Sequence, residues 1–335
     1  MLTFVVSDYV HHLDEQYSQY VQQAYASSTA KNFYTSWTLY IQFTIDYGLQ
    51  LFPPSYDTLS RYLTHVLTQK TYVHSSYLNL KSSLRTFYSC YGYDVDMNDI
   101  RIKLLSMASR RTGSHNLSQK SPITPQHLLA MKSGTDANDP VQLTIYVATL
   151  IGFFAALRKS NIAPPTPHQY DPSKHLSRQD ILVTQDGLIV KLSWTKTLQD
   201  NSSVFDVPIA YPPQGSPLDP VSTFIAYNER YPVKPSDPAF SFYVGHKLYV
   251  LSQSFLNKCI KDLVQQCGED PKNFSCHSLR RGSASLMSHS GVETDLIKSH
   301  GTWRSAAYQR YIDFSLPQKF SVTKFMHYHI NNMDQ

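Results

Sequence analysis

The sequence is poor in cysteine and in long apolar segments. Its four cysteines form no C-x-x-C pair and are too few for a disulfide framework, which excludes a cysteine-based zinc site and a disulfide-rich fold. The longest apolar run, residues 145–157, is too short to cross a bilayer and has the length of a buried helix. The Met1 end has neither a basic region nor a cleavage site, so we expect no signal peptide. These absences predict an intracellular protein without a membrane span.

The excess of basic over acidic residues is also small. The chain has 30 Lys and Arg against 25 Asp and Glu, and this net charge of +5 does not by itself indicate a nucleic-acid partner. Its distribution is more informative, because residues 1–60 carry one basic against five acidic residues, whereas residues 61–111 carry eight basic against three acidic. A basic band within one domain is what a DNA-facing surface requires. A solvated surface explains the band equally well.

Apolar residues recur at helical spacing in four segments of residues 27–111. One segment places Leu59, Tyr62, Leu63 and Val66 on a single face. Four amphipathic helices with short joins predict a small helical bundle over residues 1–111. Residues 112–121 are polar and lack periodicity, which predicts a linker to a second domain at residues 122–335.

The second domain is predicted to be α+β. Thr124 and Pro125 are typical of a helix start. Residues 139–162 are so apolar that they predict a central helix, with Arg158 in its last turn. Residues 178–210 are the only convincing β region and predict a small antiparallel sheet. The fold class is therefore mainly α with a small antiparallel β-sheet.

Side chains suited to phosphoryl transfer are spread over this second domain. His277 and Arg280 lie three residues apart, so on a helix they share a face and can bind one phosphodiester together. A phenol such as Tyr311 can attack phosphorus beside cationic donors, because they stabilise the negative charge that develops on oxygen. An H-x-x-R pair alone is more often a surface or capping pair. It indicates a catalytic site here because an arginine, a lysine, a tryptophan and a tyrosine accompany it in a specific order along the chain.

On these motifs the sequence resembles the tyrosine recombinase (phage integrase) family over nearly its whole length. HSLRRG resembles the family's His-x-x-Arg box, and GTWRSAAYQRYI resembles its closing box. The form G-x-W-x-S-x-A-x-x-R-Y-I is similar to recombinases of eukaryotic mobile elements of the DIRS, Ngaro and Crypton kinds. The resemblance implies a helical core-binding domain, a catalytic domain, and a C-terminal tail that docks on a neighbouring protomer.

The resemblance also implies roles for individual residues. Tyr311 would be the nucleophile, and Lys196 would protonate the leaving 5′-oxygen. Four further side chains would stabilise the phosphorane: Arg158, His277, Arg280 and Trp303. Neither a metal nor another cofactor is implied, because the phosphotyrosine conserves the bond energy.

Three of these assignments have a rival nearby: Tyr308 for Tyr311, His300 for Trp303, and Lys191 for Lys196. The R-Y-I, G-x-W and T-K-T contexts favour the first-assigned residue in each case. The family usually has an acidic residue three positions after its first arginine, and Asn161 stands there in this chain. An amide can orient a neighbour by hydrogen bonding but supplies no charge.

The expected partner is double-stranded DNA with inverted half-sites, bound by a homodimer on one site and a homotetramer when two duplexes pair. The candidate DNA contacts are basic residues, each of which could equally serve solubility: Lys81, Arg85, Arg101, Lys103, Arg110, Arg111, Lys120 and Arg281. The protein is expected to be found with DNA, in the nucleus if the host is eukaryotic.

The sequence thus favours a site-specific DNA recombinase or transposon integrase that acts through a 3′-phosphotyrosyl intermediate. A type IB topoisomerase or a telomere resolvase would use the same chemistry with a different outcome. A domesticated DNA-binding protein that has lost cutting is a non-enzymatic alternative. A metal-dependent DDE-type transposase fits the residues less well.

Overall fold

The chain forms two compact units, residues 1–118 and 119–335, which are described separately. The computed structural model describes residues 12–13, 15–16, 24–25, 27–69, 73–112, 120–194, 204–303, 305, 308–309, 312, 323–324 and 326. The boundary between the units falls within the stretch predicted as a linker, residues 112–121. In these described ranges, no helix combines the length and the apolar character that crossing a bilayer requires.

Between residues 27 and 112, the described part of the first unit contains four helices, which follow the four amphipathic segments of the sequence. They are α1 (Ser27–Asp46), α2 (Tyr56–Thr68), α3 (His74–Cys90) and α4 (Ile100–Thr112). Leu59, Leu63 and Leu84 are fully buried in their common core. Tyrosines extend this core, because the hydroxyls of Tyr40 and Tyr88 lie 2.7 Å apart and satisfy each other away from water.

The second unit is built around α6, whose residues between Leu143 and Phe153 are all buried. In the part of this unit that the structure describes, helices surround α6 and two β elements accompany them. The helices are α5 (Pro125–Gly134), α6 (Pro140–Phe154), the single turn α7 (Lys159–Ile162), α8 (Pro220–Arg230), α9 (Gln253–Gln266), α10 (His277–His289) and α11 (Thr294–His300). Asp139 starts α6, and its carboxylate accepts hydrogen bonds from the amides of Val141 and Gln142.

A three-stranded antiparallel sheet follows α7, as the sequence predicts. Its strands β1 (Ile181–Thr184), β2 (Gly187–Leu192) and β3 (Phe205–Ala210) pair in sequential order. Leu188, Val190 and Leu192 alternate toward the core from the central strand. The predicted fold class, mainly helical with a small antiparallel sheet, is confirmed.

A second β element was missed by the sequence reasoning. Strands β4 (Ser241–Val244) and β5 (Lys247–Val250) form an antiparallel hairpin around Gly245, which has a φ of 59°. The expectation that residues 178–210 form the only convincing β region is therefore wrong. The turn glycine between two short apolar runs was the available signal.

The predicted end of α6 also needs correction. The helix stops at Phe154, and Arg158 lies beyond it as the residue that precedes α7. Ala156 has a φ of 48°, and the amide of Leu157 donates to the carbonyl of Gly152 at 2.9 Å. This left-handed closing turn ends the helix at Phe154, four residues before the arginine. Arg158 is therefore held by a turn and not by a helical backbone.

Candidate active site

Arg280 is the centre of the candidate site, and its side chain is only 2% exposed. It projects from α10, where its Nη1 donates to the carbonyl oxygen of Ala156 and its Nη2 to that of Gly301. These carbonyls belong to the C-terminal ends of α6 and α11. Helix C-termini carry partial negative charge, so two of them together stabilise a buried guanidinium. Arg280 thus joins segments more than a hundred residues apart in the chain.

Trp303 supports Arg280 from one side. The guanidinium carbon lies 4.1 Å from the centroid of the indole ring, which is a cation–π contact in a buried setting. The ring can approach only because residue 301 is glycine, since a Cβ there would lie 1.7 Å from a ring carbon of Trp303. Trp303 therefore contributes to the site by packing, and its predicted donation to a phosphate stays a prediction.

Arg158 reaches the same turn from the other side. Its Nη1 donates to Oγ1 of Thr302 at 3.3 Å, and its side chain is half-buried. Because Gly301 accepts from Arg280 and the adjacent Thr302 accepts from Arg158, one turn brings the two predicted catalytic arginines together. The geometry gives two guanidinium groups at one place, which is an arrangement that can bind a phosphodiester.

His277 begins α10, and its side chain keeps contact with solvent. The pKa of this imidazole is lowered, first by desolvation among the atoms that surround the ring and then by the charges of Arg280 and Arg158, with Arg281 and Lys159 adding to them. His277 is therefore neutral at pH 7. A neutral imidazole can donate one hydrogen bond to an anion while adding no further charge to a cationic site.

Asn161 is buried, at 2% exposure, and holds the end of the sheet. Its Nδ2 donates to the carbonyl oxygen of Trp194 at 2.8 Å, just beyond β2. A carboxylate at this position would present only acceptors to that carbonyl. The amide is therefore the chemically required group for this contact, which explains in physical terms why an acidic residue does not stand here.

We expect Asn161→Asp to lower the free energy of unfolding by about 2–3 kcal/mol at pH 8, because the donor is lost and a charge is buried. Burial raises the folded-state pKa of such a carboxyl, so its charged form opposes folding. The loss should therefore be smaller at pH 5, where the folded protein takes up the proton and can donate again. Urea unfolding at both pH values measures the difference.

The control for this variant is Asn79→Asp on the exposed surface of α3. It introduces the same change of charge without removing the buried contact, and we expect an effect within about 0.5 kcal/mol. Equal destabilisation by both variants, or a loss at Asn161 that does not depend on pH, would contradict the assigned role of the amide.

Two of the rival residues have structural positions. Tyr308 is 2% exposed, with its ring centroid 5.9 Å from that of Trp303, so it lies within the packed cluster below Arg280. The Nε2 of His300 lies 2.7 Å from the carbonyl oxygen of Phe154 and acts in packing α11 on α6. Lys191, the third rival, lies in β2 with an exposed side chain. Lys196 and Tyr311 lie outside the described residues.

The predicted DNA contacts of the first unit fall into two groups. Lys103, Arg110 and Arg111 are exposed on α4. The others make contacts within the unit: Lys81 donates to the Met97 carbonyl at 3.0 Å, Arg85 lies 4.0 Å from Asp94, and Arg101 binds both Asp57 and Asp99. Arg85 and Arg101 are exposed as well, so their acidic neighbours and not burial distinguish them from Lys103, Arg110 and Arg111.

The two candidates in the second unit have unequal access. The Nζ of Lys120 donates to the carbonyl of Lys272 at 2.5 Å, which fixes the start of the unit beside α10. Arg281 is only 4% exposed. The predicted contact of Arg281 with a DNA phosphate stays a prediction.

Two residues near the arginines were not singled out from the sequence. Lys159 follows Arg158 directly and lies close enough to His277 to affect its pKa. Its place in the motif ALRKSN was a usable signal. Thr302 stands within the closing motif GTWRS, but no rule of residue spacing identifies it, because its contact with Arg158 depends on how α6 and α11 end.

Comparisons with known proteins show which fold this chain shares. No family model matches the sequence, and no curated protein matches it. Solved structures do match. The Tn1549 transposon integrase in complex with circular intermediate DNA has 15% sequence identity and a TM-score of 0.59, covering 93% of this chain and 98% of that chain.

Two further structures agree. The XerH site-specific recombinase bound to a palindromic difH substrate has 13% identity and a TM-score of 0.55, covering 87% of this chain and 76% of that chain. A lambda integrase dimer bound to a COC′ core site has 14% identity and a TM-score of 0.54, covering 90% and 94%. The chain thus has the tyrosine recombinase fold. The similarity to eukaryotic mobile elements stays a prediction.

Proposed function

We propose that the protein is a site-specific DNA recombinase or transposon integrase that cuts and rejoins DNA through a 3′-phosphotyrosyl intermediate on Tyr311. The observation that carries the proposal is the meeting of Arg158 and Arg280 at the Gly301–Trp303 turn, with neutral His277 beside them. The solved structures with this fold are recombinases and integrases bound to DNA.

The proposed reaction needs no external energy source. Tyr311 would react as its phenolate, having lost its proton to solvent, and its oxygen forms a bond to phosphorus while the bond from phosphorus to the 5′-oxygen breaks. Lys196 gives its proton to that oxygen, which leaves as a hydroxyl. In the second step the neutral Lys196 takes the proton of a 5′-hydroxyl of the partner strand, whose oxygen attacks the phosphotyrosine and releases the tyrosine as its phenolate. Phosphodiester bonds are thus exchanged without net hydrolysis.

The arginines would act mainly in the transition state. Negative charge grows on the non-bridging oxygens as phosphorus becomes five-coordinate, and fixed guanidinium groups stabilise it without reorganisation. Removing one such donor typically lowers the rate by about 10²–10³-fold. Arg280 is held by two helix ends and by Trp303, so its orientation is established before DNA arrives.

We further propose that a homodimer binds inverted half-sites and that two bound duplexes form a homotetramer. The exposed basic residues of α4 would contact the DNA backbone. Trp303 would help to stabilise the phosphorane, and the other basic residues predicted from the sequence would make further contacts with DNA phosphates. The protein would act wherever its DNA target lies, in the nucleus if the host is eukaryotic. DNA binding of this kind weakens steeply as salt rises.

Covalent capture tests the proposed function. The protein is incubated, with chelator present, with nicked duplexes whose inverted half-sites are randomised, and adducts are isolated under denaturing conditions. We expect a protein–DNA adduct that maps to the peptide containing Tyr311. If no duplex in the pool yields an adduct, the enzymatic proposal fails and a non-cutting DNA-binding protein is favoured. Relaxation of plasmids without a cognate site would favour a type IB topoisomerase.

A pH dependence follows from His277. A bound phosphate would raise the pKa of this imidazole above its lowered value in the free protein, so binding takes up a proton. DNA affinity should therefore rise as the pH falls from 8 to 6, by up to about tenfold for each unit of pKa change. The dissociation constant, measured at constant ionic strength, reports it.

His277→Gln should flatten this pH profile, because the amide donates a hydrogen bond but does not titrate. The control is His246→Gln, in the exposed turn between β4 and β5, which should leave the profile of the original protein unchanged. A profile that His246→Gln flattens as much as His277→Gln would show that the proton uptake arises elsewhere.

A further inference from the structure

The turn that ends α11 has an unusual residue at its left-handed position. The amide of Trp303 donates to the Lys298 carbonyl at 2.9 Å and that of Thr302 to the Ser299 carbonyl at 3.0 Å. This pattern places Thr302 at the position where glycine is the usual residue. Thr302 has a φ of 53°, which is costly for any side chain with a Cβ and most costly for a β-branched one.

The neighbouring glycine does not relieve this cost. Gly301 stands one residue earlier, where a Cβ would collide with the Trp303 ring. Glycine is thus required at position 301, because only glycine leaves room for the indole ring beneath Arg280. The left-handed position of the turn is occupied by Thr302. Strained residues of this kind persist where the surrounding structure determines them, and they cluster at functional sites.

The side chain of Thr302 makes a specific contact from this position. It is 7% exposed, and its Oγ1 accepts the hydrogen bond from Nη1 of Arg158 at 3.3 Å. If the residue served only to end the helix, glycine would serve better. The retained hydroxyl therefore points to a role that glycine cannot fill.

We infer that Thr302 is a positioning residue for Arg158. Its hydroxyl fixes the Arg158 guanidinium on the same turn whose Gly301 carbonyl holds Arg280. One turn thereby sets the spacing of the two arginines. The catalytic meaning of this spacing rests on the proposed function, whereas the hydrogen bond and its coupling to Arg158 can be measured independently of activity.

Three substitutions at this position separate the effect of the hydroxyl group from the effect of the strained backbone conformation. Thr302→Val keeps the branched shape and the backbone cost but removes the acceptor, and we expect adduct formation to slow by about 10–100-fold with DNA affinity retained. Thr302→Ser keeps the hydroxyl and should restore most of the rate. Thr302→Gly should raise the melting temperature because the strain is relieved, yet slow the reaction as Thr302→Val does.

A stabilised but slow Thr302→Gly protein cannot be explained by a structural role alone. The inference is overturned if Thr302→Val is as fast as the original protein, or if Thr302→Ser is as slow as Thr302→Val. It is also overturned if the effects of Thr302→Val and Arg158→Met multiply, because Thr302→Val should have no further effect once the guanidinium is absent.

The urea midpoints of the original protein, the two single variants and the double variant give a second measurement of the same coupling. The midpoint shift caused by Thr302→Val should shrink in the Arg158→Met background, and an unchanged shift contradicts the contact. If the original protein forms no adduct, the proposed function fails, but the midpoints still decide whether Thr302 positions Arg158.

Discussion

Replacing Tyr311 by Phe should abolish covalent attachment to DNA, with a loss of at least about 10⁴-fold, while DNA affinity stays within a factor of about two. The substitution removes only the phenolic oxygen that would bond to phosphorus. The cationic groups at Arg158 and Arg280 remain, so the protein should still bind its site. Denaturing gels of nicked DNA measure the attachment, and binding isotherms under the same conditions measure the affinity.

The matched control is Tyr308→Phe, which removes the same oxygen three residues earlier. Tyr308 is buried against Trp303, and a nucleophile in that position could not reach a phosphate without leaving its packing. We expect Tyr308→Phe to keep forming the adduct. An adduct that persists in Tyr311→Phe and disappears in Tyr308→Phe would transfer the nucleophilic role to Tyr308.

Much of the fold could be predicted because burial imposes a period on the sequence. The apolar residues of α2 recur every three or four positions, and the structure buries Leu59, Tyr62, Leu63 and Val66 as that period requires. The β4–β5 hairpin could not be predicted from such a period. Its second strand alternates only between exposed and half-buried residues, so it carries little apolar signal.

The sequence relates some members of the candidate site to one another, but it does not give their geometry. His277 and Arg280 occupy one helix, and a spacing of three residues is enough to relate them. The position of Arg158 depends on where α6 ends. That end is set by Ala156, whose left-handed conformation is supported by a hydrogen bond from Arg280, 124 residues later in the chain. Local preference would have placed glycine there.

The same reasoning applies to Asn161 and Thr302. In the sequence, each reads as a polar residue beside a motif. Their roles follow from partners that only the folded chain supplies, the carbonyl of Trp194 for one and the guanidinium of Arg158 for the other. Hydrogen bonds between distant segments depend on tertiary contacts, which the periodicity of a single segment cannot encode.

Replacing Gly282 by Ala should strongly destabilise the packing of α10, the helix that carries Arg280. Gly282 lies in α10 two residues after Arg280, and a Cβ there would lie 1.9 Å from the carbonyl oxygen of Ile123 and 2.9 Å from the Phe153 ring. The neighbouring backbone cannot move freely, because the amide of Ile123 donates to the Ser278 carbonyl at 3.0 Å. The helix must therefore shift as a unit.

We expect this shift to lower the free energy of unfolding by about 2–3 kcal/mol and the melting temperature by roughly 4–12 °C. Alanine favours a helix over glycine by about 1 kcal/mol, so the collision has to exceed that gain. Because α10 carries His277 and Arg280, the displacement should also separate Arg280 from the carbonyls of Ala156 and Gly301. Adduct formation should then fall even at temperatures where the variant remains folded.

Gly134→Ala provides the control for helix propensity. Gly134 is the last residue of α5, and a Cβ there would meet no atom within 4 Å. The same substitution should be neutral or slightly stabilising at that position. Thermal unfolding of both variants therefore isolates the collision at Ile123. A Gly282→Ala protein as stable as Gly134→Ala would mean that α10 does not pack against residues 121–124 as closely as the structure describes, and Arg280 would lose the support on which the site depends.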